Sequence, residues 1–318
     1  MLILYERTPN GIMTYPAPHP PHAGSPLSAE ADTFASKRGE VPRLGPALAA
    51  AAGVSITGVD LGAPLSAELW ELIRKAFLDH HVVVFPDQEL TREQQYTFTA
   101  NFGKIEPHQD RTDRSKRYEV AHVISNLDGE GKPVDRSSSP VSNYRWHTDK
   151  GYYAVPPMLT ALYAVEIPPQ GGDTEFANTE MGYAALSPET KLRIAGLRVV
   201  FQWGAGYRRS SAHPVLEDRP PVDHPLVRTH PGTGKKALYL GNHASHILGM
   251  PEAEGVALLE ELLEHTTRPE FVYAHHWRPG DLVIWDNRCL LHRAVANYAM
   301  STYRRILHRS VVRGTVPI

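Results

Sequence analysis

The stretch RPGDLVIWDNRCLLHRA, residues 278–294, gives the clearest local indication of the fold. A short run rich in Val, Ile and Leu lies between a Pro-Gly-Asp turn and a Trp-Asp-Asn-Arg turn, and His292 follows. Short β-branched runs bounded by Gly, Pro, Asp and Asn are typical of strands. The stretch therefore predicts a buried strand, a tight turn, and a histidine held just beyond that turn.

The same pattern recurs from about residue 105 to the end of the chain. Short apolar runs separated by Pro, Gly and Asp occur in MLTALYAVEIPPQGGD at 158–173, LRVVFQW at 197–203 and YRRILHRSVV at 303–312. HPGTGKK, residues 230–236, is a strong turn signal between two further strands. Many short strands with few helices favour a β-sandwich or barrel core, with the helices packed outside it.

Helices are predicted at four places around this core. Apolar residues at helical spacing indicate one helix that begins after Ser66 and continues through Phe77. Thr91 and Gln94 have the spacing of a capping box, which predicts a second helix. The pair Ser187-Pro188 is typical of a third start, and residues 252–264 carry the last apolar face.

Composition and charge restrict the class of protein. The chain has 318 residues, of which 42% are hydrophobic and 21% charged, as expected for a soluble globular protein with a sizeable core. A formal net charge of −2 gives no general attraction to nucleic acid or to an anionic membrane. No apolar run reaches the roughly 20 residues that span a bilayer. Cys289 is the only cysteine, which excludes an intrachain disulfide and suits a cytoplasmic protein.

The first 42 residues differ from the rest of the chain. They are rich in Pro, Ala, Ser and charged residues and show little periodicity, which predicts a flexible extension. The start MLILYERTPNGIM lacks the basic and apolar regions of a signal peptide. Residues 43–318 are predicted to form one domain, because neither an internal repeat nor a second linker is evident.

The stretch YRWHTDKGYY, residues 144–153, suggests where chemistry could occur. In a strand, His147 and Asp149 would point to the same face. Joined by His292, they would form a 2-His-1-carboxylate triad, which leaves positions open on an octahedral ion and is diagnostic of non-haem Fe(II) oxygenases. A His-X-Asp pair alone is a weak signal, and the alternative is two polar groups that find hydrogen-bond partners near the core. The motifs of zinc proteases, serine hydrolases and nucleotide-binding loops are absent.

The last predicted strand offers a possible anion site. Alternation places Arg305, Leu307 and Arg309 on one face of this strand. Two buried guanidinium groups would require anionic partners, and Arg suits bidentate recognition of carboxylates. If the opposite face points inward, both arginines are solvated instead, and the alternation alone does not choose between the two faces.

Four motifs in order resemble one enzyme family: WHTD at 146–149, GGDTEFAN at 171–178, then residues 278–294 and YRRILHRSVVRG at 303–314. They are similar to the family of taurine dioxygenase and 2,4-dichlorophenoxyacetate dioxygenase, and the resemblance covers roughly residues 53–318. It implies a mainly β fold with flanking helices around a double-stranded β-helix core, of the jelly-roll or cupin-like kind. It also implies Fe(II), 2-oxoglutarate as cosubstrate, and O2.

The resemblance assigns roles to individual residues. His147, Asp149 and His292 match the iron ligands of the family. Arg305 matches the arginine that binds the distal carboxylate of 2-oxoglutarate, and Thr174 matches the hydroxyl that assists it. The turn formed by Trp285, Asp286 and Asn287 is expected to have a structural role.

The resemblance also implies a small anionic substrate. Arg309 matches an arginine that meets the anionic end of the substrate in members that act on sulfonates, while His108 and Asn143 match other pocket positions. The expected reaction is hydroxylation of a C–H bond in a sulfonate, an alkyl sulfate or an aryloxyalkanoate, with release of succinate and CO2. A homo-oligomer, either dimer or tetramer, is plausible by resemblance only.

Three departures from the sulfonate enzymes leave the substrate open. Lys150 and Leu291 adjoin two of the expected iron ligands, and residues 204–221 differ from the substrate loop of those enzymes. A biosynthetic hydroxylation or desaturation of an amino-acid-like acid is therefore an alternative. A second alternative is a cupin-like protein that binds a metal without redox turnover.

Overall fold

A computed structural model of the chain describes residues 40–106, 121–135, 137, 143–205 and 220–318, together with the backbone of residues 108–109 and 117–118. Most of the predicted N-terminal extension lies outside these residues, so its flexibility and the boundary at residue 42 remain predictions. Most of the 204–221 segment also lies outside them. Within the described part of the chain, no helix is long and apolar enough to cross a membrane.

The described secondary structure consists mainly of short strands. In chain order the strands are β1 Arg43–Ala47, β2 Val54–Thr57, β3 Val82–Phe85, β4 His108–Gln109, β5 Arg117–Tyr118, β6 His122–Ser125, β7 Pro157–Glu166, β8 Thr174–Asn178, β9 Arg198–Phe201, β10 Val222–Pro225, β11 Val227–Thr229, β12 Lys236–Leu238, β13 Ala244–Ile247, β14 Val272–His275, β15 Leu282–Asp286, β16 Leu290–Ala294 and β17 Ile306–Arg313. The helices with described bounds are α1 Ala67–His80, α2 Arg92–Ala100, α3 Thr179–Ala184, α4 Pro188–Ile194 and α5 Glu252–Thr266, and a short 3-10 helix spans Pro269–Phe271.

The largest sheet has seven strands in the order β1-β2-β3-β15-β7-β17-β6. Only β2 and β3 pair in parallel, and the other neighbours are antiparallel. The strand predicted in the 278–294 stretch is β15, which lies between β3 and β7, with Trp285 opposite Val82 on one side and Thr160 on the other. All five residues of β15 are buried, as expected for a central strand with both faces covered.

A three-stranded sheet, β14-β8-β16, packs against one face of the seven-stranded sheet. Phe176 of β8 and Leu290 of β16 share a buried cluster with Trp285 and Leu307 of the larger sheet. The rings of Phe176 and Trp285 meet edge to face at 5.4 Å. The two sheets therefore enclose a common core, and residues of both sheets line the candidate site.

Helices cover the outside, as predicted. On the other face of the large sheet, Ile73 and Phe77 of α1 and Phe98 of α2 pack against residues of β3 and β15. The Ser66 hydroxyl accepts a hydrogen bond from the Leu69 amide, and the predicted capping box at the start of α2 is present. The predicted starts of α4 after Ser187 and of α5 at residue 252 are also confirmed.

Two leucines, one buried and one exposed, test the packing of the helical layer. Leu262 on α5 is 1% exposed and packs in a cluster with Phe201, whereas Leu192 on α4 is 79% exposed. We expect Leu262→Ala to lower the free energy of unfolding by about 2–5 kcal/mol, because it removes apolar contacts and leaves a cavity. Leu192→Ala is the matched control and should change it by less than about 0.5 kcal/mol. Urea unfolding measures both, and equal losses would contradict the described packing.

Candidate metal centre

The backbones of His147 and His292 are joined directly. The two residues form an isolated antiparallel bridge, in which each amide donates to the carbonyl of the other at 3.0 and 2.8 Å. His292 lies on β16, which pairs with β8. The two imidazole ring centroids are 4.2 Å apart. The bridge therefore brings together two ring systems that are far apart in the sequence.

Asp149 completes the group, although not from a strand. The expectation of a strand through residues 147–149 is wrong, because His147 makes only the single bridge and Asp149 already lies in a turn. The residue after it, Lys150, has a left-handed φ of 48°. Even so, one ligand atom from each of His147, Asp149 and His292 lies within 4.8 Å of the others. Each of the three residues is only 7% exposed.

The hydrogen bonds leave metal-binding atoms available on the histidines. His147 Nδ1 lies 2.8 Å from the carbonyl oxygen of Arg145, which can only accept, so this nitrogen carries the proton and Nε2 keeps its lone pair. His292 Nε2 lies 3.9 Å from Asp149 Oδ2. Burial lowers the pKa of His292 to about 3 and also lowers the pKa of His147, so both rings are neutral near pH 7.

Asp149 is the anionic member of the group. Burial alone would raise the pKa of this carboxyl, but the charge of Arg309 and the hydrogen bond from Thr160 contribute to a net shift below the ordinary value. Arg309 Nη1 lies 3.5 Å from Asp149 Oδ1. Two neutral imidazoles and one ionised carboxylate form the donor set that suits a non-haem Fe(II) centre. The residues present therefore fit the expected metal.

Two other clusters of potential ligands are buried in the described part of the chain: His81 with Asp286 and Cys289, and Glu180 with His230 and Cys289. The atoms that could bind a metal already form hydrogen bonds within the protein. His230 Nε2 donates to Asp286 Oδ2 at 2.9 Å, and its Nδ1 accepts two backbone amides. Asp286 also accepts from Arg288, and burial raises the pKa of the Cys289 thiol, which lies 3.3 Å from His81 Nδ1. These clusters are hydrogen-bond networks that hold the β15–β16 turn.

Arg305 and Thr174 lie together on the wall of the same cavity. Arg305 Nε donates to the carbonyl of Gly172 at 2.9 Å, and Arg305 Nη2 lies 3.5 Å from Thr174 Oγ1. Among the described residues, no carboxylate pairs with this guanidinium. Thr174 Oγ1 also accepts from the indole of Trp277 at 2.9 Å. Because guanidinium and indole groups only donate, the Thr174 proton remains available, and both side chains can donate to an anion.

The cavity has a volume of about 410 Å³, including its open mouth. Its lining consists of Ile124, Asn143, His147, Asp149, Leu162, Thr174, Trp285, His292, Ala294, Arg305, Leu307 and Arg309. The face of β17 that carries Leu307 and Arg309 therefore points inward, which decides between the two faces left open by the sequence. Arg304, on the opposite side, is half exposed and pairs with Glu166.

The remaining predicted residues have different outcomes. Asn143 lines the cavity at an exposed position. The backbone of His108 pairs with Tyr118, since β4 and β5 are antiparallel, but the His108 side chain lies outside the described part of the chain. Lys150, which departs from the family pattern, forms an ion pair with Glu106.

Sequence reasoning missed two hydrogen-bonding groups around the site. Thr160, inside the apolar run of β7, donates its hydroxyl to Asp149 Oδ2 at 2.5 Å. Trp277 bonds to Thr174, as described above. Neither residue belongs to a ligand motif, and a threonine in a β-branched strand is ordinary. Of the two, only Thr160 could have been found, and only from the register of β7 against β15, in which Thr160 lies opposite Trp285.

Comparison with known sequences gives a consistent result. Residues 41–311 match the family model described as taurine catabolism dioxygenase TauD, TfdA family. The chain is 40% identical over 284 residues to an alpha-ketoglutarate-dependent 2,4-dichlorophenoxyacetate dioxygenase of Cupriavidus pinatubonensis, with 84% of this chain and 96% of that protein covered. It is 36% identical over 278 residues to an (S)-phenoxypropionate/alpha-ketoglutarate-dioxygenase of Sphingobium herbicidovorans, with 82% and 92% covered.

Solved structures agree with the sequence relatives. The crystal structure of AAD-2 with Mn(II) and N-oxalylglycine matches with a TM-score of 0.77 and 35% identity, over 87% of this chain and 98% of that one. A taurine dioxygenase from Burkholderia xenovorans matches with a TM-score of 0.71 and 34% identity, over 87% and 92% of the chains. The predicted double-stranded β-helix core is thereby confirmed, and the alternative of a non-redox metal-binding protein loses its support. The chain belongs to the TauD/TfdA family and is a 2-oxoglutarate-dependent dioxygenase that uses Fe(II), 2-oxoglutarate and O2.

Proposed function

We propose that this dioxygenase hydroxylates a small aryloxyalkanoate anion at the carbon that carries the ether oxygen. The observation that carries the proposal is the Arg309 guanidinium on the cavity wall, 3.5 Å from the Asp149 carboxylate. An anionic end group at Arg309 would hold the rest of a small molecule beside the candidate metal ligands. The aryloxyalkanoate activities named for the two relatives support this class over the sulfonates and alkyl sulfates.

The candidate ligands have defined tasks in this reaction. His147 and His292 would each bind the iron through Nε2, and Asp149 would bind it through a carboxylate oxygen. When bound, Fe(II) supplies the activation of O2 that couples decarboxylation of 2-oxoglutarate to oxidation of a C–H bond. The protein contributes the buried position of the three ligands, each only 7% exposed, beside the cavity.

Arg305 and Thr174 would orient the cosubstrate. The distal carboxylate of 2-oxoglutarate would accept hydrogen bonds from the guanidinium and from the Thr174 hydroxyl, whose oxygen is held by Trp277. Charge-assisted bonds of this kind fix both the position and the direction of a carboxylate. The cosubstrate anion would also provide the charged partner that Arg305 lacks among the described residues.

The substrate would occupy the remaining part of the cavity. Arg309 would bind its carboxylate, with Asn143 and His108 as further polar contacts. Apolar side chains such as Ile124 would contact its apolar body, as in most small-molecule sites. Hydroxylation places an OH on the carbon that bears the aryloxy oxygen. The bond between that carbon and the aryloxy oxygen then breaks: the new OH loses its proton and becomes the carbonyl of an oxo acid, and the aryloxy oxygen takes up a proton and leaves as a phenol. Succinate and CO2 come from 2-oxoglutarate.

Two arginines on adjacent positions test the cosubstrate site. We expect Arg305→Met to raise the KM for 2-oxoglutarate by about 10- to 100-fold, because a charge-assisted hydrogen bond to a carboxylate is lost. Arg304→Met is the matched control, since Arg304 lies on the outer side and pairs with Glu166. Steady-state succinate formation measures both variants. The same KM for Arg305→Met and the wild type would exclude Arg305 as the carboxylate-binding residue.

A substrate screen tests the reaction class. Succinate release is measured with Fe(II), 2-oxoglutarate and air across aryloxyalkanoates, alkyl sulfates, alkyl sulfonates and amino acids. We expect the highest kcat/KM with an aryloxyalkanoate, together with one phenol released for each succinate formed. A preference for a sulfate ester or a sulfonate would retain the chemistry but overturn the proposed substrate class. A preference for an amino acid without cleavage would favour the biosynthetic alternative.

A further inference from the structure

Thr160 links the candidate metal ligand Asp149 to the turn that follows β15. Its hydroxyl lies 2.5 Å from Asp149 Oδ2, and Asn287 Nδ2 lies 2.9 Å from the same hydroxyl oxygen. The Asn287 Oδ1 in turn lies 3.0 Å from the indole nitrogen of Trp285. Each of these four residues is at least nine-tenths buried, so water does not compete for the hydrogen bonds.

The Trp285 indole determines the direction of every hydrogen bond in the series from Trp285 to Asp149. The Trp285 indole N–H can only donate, so the Asn287 atom facing it must be the amide oxygen. The Asn287 NH2 group is then the donor to Thr160, whose oxygen accepts. The single hydroxyl proton of Thr160 is left for Asp149, and an ionised carboxylate can only accept it. Donor and acceptor roles are therefore unambiguous along the whole chain.

These side-chain hydrogen bonds restrain the Asp149 carboxylate, which the backbone restrains only weakly. Asp149 lies in a turn, outside the strands, so no ladder hydrogen bond restrains it. Its amide makes only a long contact of 3.5 Å to Asn287 Oδ1. Thr160 contacts Oδ2 and Arg309 contacts Oδ1, so the two oxygens have different partners and the plane of the carboxylate is defined.

We propose that Thr160 is a positioning residue for the metal ligand Asp149, and that its hydroxyl sets the carboxylate orientation needed to bind the divalent ion. The inference rests on the proposed metal site. Groups that hydrogen-bond to a ligating carboxylate commonly change metal affinity by about 10- to 100-fold. Thr160 is not among the residues that line the cavity, so it would act through Asp149 and not by contact with a ligand.

Two variants separate the hydroxyl from the packing of the side chain. Thr160→Val keeps the shape and removes the hydroxyl, whereas Thr160→Ser keeps the hydroxyl and removes a methyl group. Mn(II) binding to the metal-free protein, followed by the electron paramagnetic resonance signal of free Mn(II), gives an affinity without any turnover. We expect Thr160→Val to weaken Mn(II) binding by about 10- to 100-fold, and Thr160→Ser to stay within about threefold of the wild type.

Controls distinguish this inference from the metal site on which it depends. His147→Ala should abolish tight Mn(II) binding; if the wild type binds no tighter than His147→Ala, the metal site itself is wrong. If His147→Ala loses binding but Thr160→Val does not, the metal site stands and the role of Thr160 is overturned. If Thr160→Val and Thr160→Ser weaken Mn(II) binding equally, the effect comes from packing, and the proposed role of the Thr160 hydroxyl is also overturned. Thr160→Ala, which places no methyl group against the Asn287 amide, replaces Thr160→Val if that variant does not fold.

Discussion

The pair of backbone hydrogen bonds between His147 and His292 is the constraint on which the site depends. These two bonds join a segment that is otherwise irregular to β16, a strand inside a sheet. Two more backbone hydrogen bonds flank this bridge, from the Ala294 amide to the Asn143 carbonyl and from the Asn242 amide to the Trp146 carbonyl, each at 2.8 Å. Gly241 lies close to the same segment, since a Cβ at this position would be 3.1 Å from the Trp146 carbonyl oxygen. Its φ of 117° also lies in the region that favours glycine.

Two buried tryptophans give the polar groups of the site their direction. Trp277 donates to Thr174 on the side where the cosubstrate would bind, and Trp285 begins the chain that ends at Asp149. An indole has one N–H donor and no acceptor, so it imposes a single arrangement on the group beside it. Hydroxyl and amide groups, which could otherwise rotate or flip, are thus oriented before any ligand binds. Preorganisation of this kind lowers the entropic cost of binding.

Features that depend on residues close together in the sequence could be predicted from it. Ser66 and Thr91 begin helices because their side chains cap amides three residues ahead, and this spacing is visible in the chain. The inward face of β17 could not be predicted, because alternation defines two faces without saying which one meets the core. Asp149 was expected in a strand but lies in a turn, since one bridge at His147 ends the pairing. Thr160 carries no local signal, because its partner comes from a different segment of the chain.

The buried thiol beside the β15–β16 turn has a practical consequence. Cys289 is the only cysteine of the chain, it is 1% exposed, and burial raises its pKa. Alkylating reagents attack the exposed thiolate, so the folded molecule is inert to them. Alkylation of Cys289 then proceeds only when the structure opens locally and exposes this turn. Where the structure recloses faster than it reacts, the alkylation rate equals the rate for a fully exposed thiol multiplied by the equilibrium constant for opening. The rate of alkylation of Cys289 therefore measures the opening of the core beside the candidate metal centre, without any added label.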